Sequence, residues 1–234
     1  MAAEIQATLQ WSQRVELSTP VSGVIKEVNV EVGGRAKKGQ VLLSLDNTIF
    51  QARVNESQSE IVRLDAEMQE AKRDLDRVQE LYERTITSTA DLDQAKLRVV
   101  TSQSRLSEAK SRLRQNQKML EDSRLRAPFD AVVLIRQAEP GQSVAAGLQP
   151  QMLLTLARSG EMNARMYLTS PQIEKLEIGQ NVTVSTGGAD YTGKIKMLGM
   201  EPVKMNEQYV YAVDVAFATR IPLRAGAAAL VTIP

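Results

Sequence analysis

The sequence predicts a multi-domain α and β protein: an antiparallel α-helical coiled-coil hairpin inserted in a β-sandwich and followed by a small β-barrel. Three observations predict it. Two glycine-punctuated segments, 15–46 and 127–157, echo each other; the stretch between them lacks Gly and Pro and places apolar residues every seven positions; the remainder alternates as short strands do.

The first segment, VELSTPVSGVIKEVNVEVGGRAKKGQVLLSLD, sets small β-branched runs between glycine turns. In the second, Pro128, Gly141 and Gly147 stand at one constant offset from Pro20, Gly33 and Gly39, and after a short insertion Leu153-Leu154-Thr155-Leu156 falls under Leu42-Leu43-Ser44-Leu45. Matching glycines imply matching backbone geometry, because these are positions where a positive φ or a close approach excludes a Cβ. Each half alone offers about four short strands with one apolar face, so the two are expected to pack face to face as a flattened sandwich.

Between the halves, residues 47–126 read as two helices. Val54, Ile61, Met68, Leu75 and Tyr82 alternate with Ser57, Leu64, Ala71 and Val78 on the first; Leu92, Val99, Leu106, Leu113 and Leu120 alternate with Ala95, Ser102, Ala109 and Asn116 on the second. The helices fold back at Thr85-Ile86-Thr87-Ser88-Thr89, a β-branched cluster of weak helix propensity whose hydroxyls can cap the second helix. Mirroring the chain about that turn pairs Val54 with Leu120, Met68 with Leu106 and Tyr82 with Leu92, and sets Ser57 opposite Asn116, where a polar pair can fix register.

From residue 161 the pattern returns to β, with strands expected over 162–168, 181–186, 191–198, 209–217 and 227–233. Ser170-Pro171 suits an N-cap followed by proline at the first helical position, with Ile173, Leu176 and Ile178 as a small apolar face ending at Gly179. Ile5, Ala7, Leu9 and Trp11 alternate as a further strand, so a barrel using both ends of the chain is expected.

Composition narrows function by exclusion. A net charge of +1 without a dense basic face argues against nucleic-acid binding. With no Cys and no His, thiolate chemistry, disulfides, most zinc sites and the usual neutral-pH general base are unavailable to the chain. The carboxylates lie mostly on solvated helix faces rather than in a convergent set, so no enzyme is expected. The start MAAEIQ lacks the basic n-region and apolar core of a signal peptide, and no run of about 18 apolar residues occurs.

The order barrel strand (1–14), half sandwich (15–46), hairpin (47–126), half sandwich (127–157) and barrel (158–234) resembles the membrane fusion proteins, the periplasmic adaptors of tripartite efflux pumps and type I secretion systems. The resemblance rests on PVSGVIKEVNVEVGGRAKKGQVLLSLD with RAPFDAVV as halves of a lipoyl-like β-sandwich, LYERTITSTADLDQA at the hairpin tip, and LRAGAAALVTIP closing the barrel. It implies an adaptor bridging an inner-membrane transporter, proton-driven or ATP-driven, and an outer-membrane channel. It also implies a periplasmic location, inner-membrane attachment of the full-length protein, and self-assembly into a ring, commonly of six. In the family's efflux branch a spaced Arg, Leu and Ser at the tip docks on the channel, and Arg77, Leu81 and Ser88 match that spacing. The family's membrane-proximal domain is expected to begin where this sequence stops, at Pro234, and so to be absent or truncated here.

Two other readings attach to particular residues. Met197, Met200 and Met205 fall within one expected β-hairpin, and thioethers can hold Cu(I), which would suit a metal-exporting pump. A lipoyl or biotinyl carrier keeps its cofactor lysine on the turn joining the halves, but neither Asp46-Asn47-Thr48 nor the junction near Arg126 offers one, so no cofactor is expected.

Overall fold

A computed structural model describes residues 3–147, 150–205, 207–221 and 223–233. In chain order the elements are β1 (Ala3–Trp11), β2 (Arg14–Leu17), β3 (Gly23–Val28), β4 (Arg35–Ala36), β5 (Val41–Leu45), α1 (Thr48–Glu83), α2 (Thr89–Asp122), β6 (Arg124–Arg126), β7 (Ala131–Arg136) and β8 (Ser143–Val144). They continue with β9 (Leu154–Arg158), β10 (Glu161–Leu168), α3 (Ser170–Ile173), β11 (Asn181–Thr186), β12 (Ala189–Met205), β13 (Gln208–Ala218) and β14 (Ala228–Ile233).

The sequence repeat is a structural repeat, since β3 and β7, and likewise β4 and β8, stand at the offset of the matched glycines. Their hydrogen bonds repeat too: Gly33 N–H donates to the Val133 carbonyl as Gly141 N–H donates to that of Ile25, each at 2.8 Å. Gly33 and Gly141 turn with φ of +82° and +87°, a region costly for any residue with a Cβ. The third match fails, because Gly39 has φ +81° whereas Gly147 is not left-handed.

The halves do not stack as one sheet each. The sheets run β2-β9-β7-β4 and β6-β5-β3-β8, so each takes two central strands from one half and its two edge strands from the other. Interleaving therefore ties the two halves together by backbone hydrogen bonds within each sheet as well as by packing between the sheets. Leu42, Leu43, Leu45, Leu153, Leu154 and Leu156 meet between the sheets, fully buried.

This arrangement seats the hairpin. β5 leads into α1 and α2 leads back into β6, and β5 and β6 are hydrogen-bonded neighbours, with Leu43 opposite Leu125. β6 thus belongs to the sandwich although it falls inside the 47–126 span read as helical. At the entry, the Asp46 carboxylate accepts from the Thr48 hydroxyl at 2.6 Å and its N–H at 3.0 Å. Those bonds hold Asp46 below the usual carboxylate range.

Along the hairpin, Leu64, Met68, Leu106 and Ala109 form the buried cluster, joined by Ile61. Asn116 Nδ2 donates to Ser57 Oγ at 2.7 Å, the register obtained by mirroring the chain. Ser57 in turn donates to the Arg53 carbonyl, so the hydroxyl is satisfied on both sides. Tyr82 departs from the heptad expectation: it is exposed, because α1 ends one residue later and the chain turns away from the seam.

The barrel closes in the order β1-β10-β13-β12-β11-β14, with β1 joining β10 to β14. Alternate residues such as Leu9, Met166, Val184, Val213 and Val231 fill its interior. On the wall, Arg165 donates to Asp214 across β10 and β13 in two bonds of 2.7 Å, and these bonds to the carboxylate raise the Arg165 pKa. The short helix is capped one residue earlier than expected: Thr169 is the N-cap, and the Gln172 side chain accepts from its N–H and hydroxyl at 3.0 and 2.9 Å. The helix ends at Ile173, so Leu176 still reaches the core but Ile178 is 71 % exposed. β12 runs seven residues past its expected end, because beyond a bulge 202–205 rejoin the ladder with β13.

Candidate functional site

The distal end of the hairpin has a fixed backbone. Arg84 caps α1; Thr85 N–H donates to the Tyr82 carbonyl and Ile86 N–H to that of Leu81, both at 2.9 Å. Together these bonds make a Schellman ending, whose residue just past the cap is left-handed. Glycine usually takes that place; here it is Thr85, at φ +62°. A β-branched residue in this region is strained, and the hydrogen bonds on either side hold it there.

Ser88 starts α2. Its Oγ accepts from Asp91 N–H at 3.2 Å and donates to Asp91 Oδ2 at 2.6 Å, while Ser88 N–H donates to the same oxygen at 3.1 Å. The Thr87 hydroxyl adds a bond of 2.9 Å. The Ser88 hydroxyl, then that of Thr87, then the Ser88 amide hold the Asp91 carboxylate below its usual range. Ser88 is therefore a capping residue, its hydroxyl turned toward its own helix.

Arg77 lies one helical turn before Leu81 on α1. Its side chain is 70 % exposed and pairs with Asp74, which also accepts from Arg98 of α2 at 3.2 Å. Asp74 thus bridges the two helices and holds the Arg77 guanidinium against α1. Leu81 is half-buried, and Ile86, 67 % exposed, stands out at the turn. The fold thus gathers Arg77, Leu81 and Ser88 at one end of one hairpin, with an arginine, an apolar side chain and a satisfied hydroxyl within its last turns.

Sequence reasoning misses Ile86 and Asp91. The Ser-x-x-Asp spacing is a readable capping signal, but a left-handed threonine leaves no mark in composition. Thr85→Gly is expected to relieve the strain and raise hairpin stability by about 1 kcal/mol, read as a higher urea midpoint of the 222 nm signal. Thr85→Val should give no such gain.

The methionine trio does not converge. Met197 lies opposite Asp214 and Met205 opposite Gln208 on the ladder, about 20 Å apart along the strand. One ion cannot bridge that span, and Met200 is exposed in the bulge between them. Among the described residues no three His, Cys, Asp or Glu side chains gather as a metal site, and no helix is long and apolar enough to cross a membrane.

Residues 13–157 match the CzcB-like, barrel-sandwich hybrid domain. The chain is 34% identical over 218 residues to the pyoverdine export membrane fusion protein PvdR of Pseudomonas putida, covering 86% of this chain and 56% of the relative. It is 26% identical over 217 residues to the macrolide export protein MacA of Yersinia pestis, covering 86% and 58%. The chain therefore spans a little over half the length of the curated relatives it matches. Among solved structures, MacA from Actinobacillus actinomycetemcomitans superposes with a TM-score of 0.75 at 21% identity over 99% of this chain and 78% of that one. The membrane fusion protein Spr0693 from Streptococcus pneumoniae gives 0.73 at 15% over 99% and 97%. With its interleaved sandwich, inserted hairpin and closing barrel, the chain belongs to the membrane fusion protein family of periplasmic adaptors, through a CzcB-like barrel-sandwich hybrid domain.

Proposed function

We propose that this protein is a non-enzymatic adaptor of a tripartite export complex, acting in the periplasm and attached to the inner membrane. Its barrel faces an inner-membrane transporter, its hairpin tip meets an outer-membrane channel, and side-by-side sandwiches form a ring. The observation that carries this reading is the seating of the hairpin. Two helices of 36 and 34 residues leave from hydrogen-bonded strands, so a spike of about 54 Å projects from the sandwich without a flexible linker.

Arg77, Leu81 and Ser88 are the residues proposed to touch the channel. An exposed guanidinium can donate to carbonyls at a partner's helix ends, and Leu81 with Ile86 offers an apolar edge beside it. For Ser88, whose hydroxyl is committed to Asp91, the role is to present the turn rather than to bond the partner directly. The proteins matched export different cargo by name, macrolides and pyoverdine among them, and the geometry of this chain favours neither. A metal-exporting complex, as the cobalt-zinc-cadmium resistance relative CzcB suggests, gains no support from the separated methionines.

A photocrosslinking residue at position 86, exposed at the turn, activated in the intact cell envelope of the full-length protein, is expected to capture an outer-membrane channel. Recovery of inner-membrane or cytosolic partners alone would overturn the proposal.

A further inference from the structure

A cleft of about 730 Å³ lies where the sandwich meets the barrel. The chain crosses between these modules twice, after β1 and after β9, and both crossings form its floor through Trp11 and through Ser159 with Gly160. Arg158 ties the crossings together, its guanidinium donating to Gln13 Oε1 at 2.7 and 3.0 Å and its N–H to the Gln13 carbonyl. Gly33 and Gly160 line the cleft with φ of +82° and +80°. No atom lies within 4 Å of the place a Cβ would take at Gly33, so that side is open.

The lining has two chemical characters. Trp11, Leu134 and Leu223 supply apolar surface, while Arg35, Arg220 and Arg224 bring three guanidinium groups from two different modules. No carboxylate lines the cleft among the described residues. Among those residues these three arginines have no ion pair or side-chain hydrogen bond, in contrast to Arg77, Arg136 and Arg165 elsewhere on the molecule. The acidic residues beside the cleft in sequence, Glu31 and Glu161, are engaged with Arg136 and Lys196. Three exposed like charges lining one partly apolar cleft, with no carboxylate among the described lining residues, make it electropositive, and an anion is the natural counterpart. Guanidinium groups bond carboxylate, sulfonate or phosphate oxygens while the apolar floor takes a hydrocarbon body.

We infer that this cleft binds a small amphipathic organic anion, its charged head held by Arg35, Arg220 and Arg224 and its apolar body against Trp11. Since the lining includes both crossings, an occupant also braces the joint between sandwich and barrel. This inference does not depend on the adaptor reading.

Trp11 is the only tryptophan of the chain, so its fluorescence reports the cleft. Octanesulfonate, below its micelle concentration, is expected to change Trp11 emission saturably and with one-to-one stoichiometry by calorimetry. Octylammonium, with the same tail and opposite charge, should bind at least tenfold more weakly, and sodium sulfate should not compete at equal concentration. Arg35→Gln and Arg224→Gln should each weaken octanesulfonate about five- to tenfold. Lys96→Gln on the hairpin should change nothing, with melting temperatures of all three variants confirming the fold. Equal binding of the cation, equal binding of sulfate, or unchanged affinity in both arginine variants would overturn the assignment, as would an absence of octanesulfonate binding.

Discussion

Leu106→Ala is expected to destabilise the hairpin by about 3 kcal/mol while leaving the rest of the molecule folded. Leu106 is 1 % exposed and is the most deeply buried residue of the hairpin cluster. Truncating it removes the transfer energy of its side chain and leaves a void between two rigid helices whose spacing the sandwich sets at one end. The hairpin has little in reserve, since among the described residues its cluster has four buried members against fifteen in each of the sandwich and barrel clusters. Elsewhere the seam alternates apolar residues such as Val54 and Leu92 with narrow or polar ones such as Ala95, Ser57 and Asn116.

Two signals separate the modules. Far-ultraviolet ellipticity at 222 nm comes chiefly from α1 and α2, and Trp11 fluorescence comes from the barrel. In a urea titration the 222 nm transition of the Leu106→Ala protein should move to lower urea while the Trp11 transition stays in place. A shift of both by the same amount would mean that hairpin and barrel unfold as one unit, contrary to the separation of their buried clusters.

Arg77→Ala and Leu81→Ala are expected to reduce channel capture by the position-86 crosslink at least tenfold and to bring export down to the level of a strain lacking the protein. Interfaces concentrate their energy in a few anchors, and the tip is small enough that two residues are a large part of it. The folding cost should be modest by comparison. Arg77 forms a surface ion pair, worth about 0 to 1 kcal/mol, and Leu81 is already half exposed. The 222 nm signal of both variants should therefore remain near that of the parent.

Ser88 needs a different substitution. Ser88→Ala would remove the cap of α2 at a cost of about 1 kcal/mol and so confuse docking with folding. Ser88→Asn keeps a side-chain acceptor for the Asp91 amide and changes only what the turn presents. If Arg77→Ala and Leu81→Ala left capture and export untouched with the hairpin folded, the tip would not be the docking surface.

The elements that announced themselves in the sequence are those whose signal is local. Heptads at Met68 and Leu106 define a helix face within a few turns, the Ser57 and Asn116 layer comes from mirroring that face about the turn, and Gly33 and Gly141 mark left-handed turns that almost any other residue would resist. Alternation along β1 and β14 likewise told that the ends of the chain meet, because one apolar face per strand must be covered. Where a neighbouring strand or an early helix end intervened, local pattern misled. β12 extends through residue 205 because β13 is there to receive it, and Ile178 stays in solvent because α3 stops at Ile173.

By itself, then, the sequence determined that a split β-sandwich carries a two-helix spike and a barrel, since each rests on repeating short-range patterns of burial and turn geometry. Only the tertiary structure decided that the two halves exchange edge strands, that Thr85 is held left-handed at the tip, and that arginines at positions 35, 220 and 224 converge on one cleft. The strand exchange and the arginine cleft bring together parts of the chain that no window of sequence contains, whereas Thr85 is held by two backbone bonds of its own turn against the preference of a β-branched side chain.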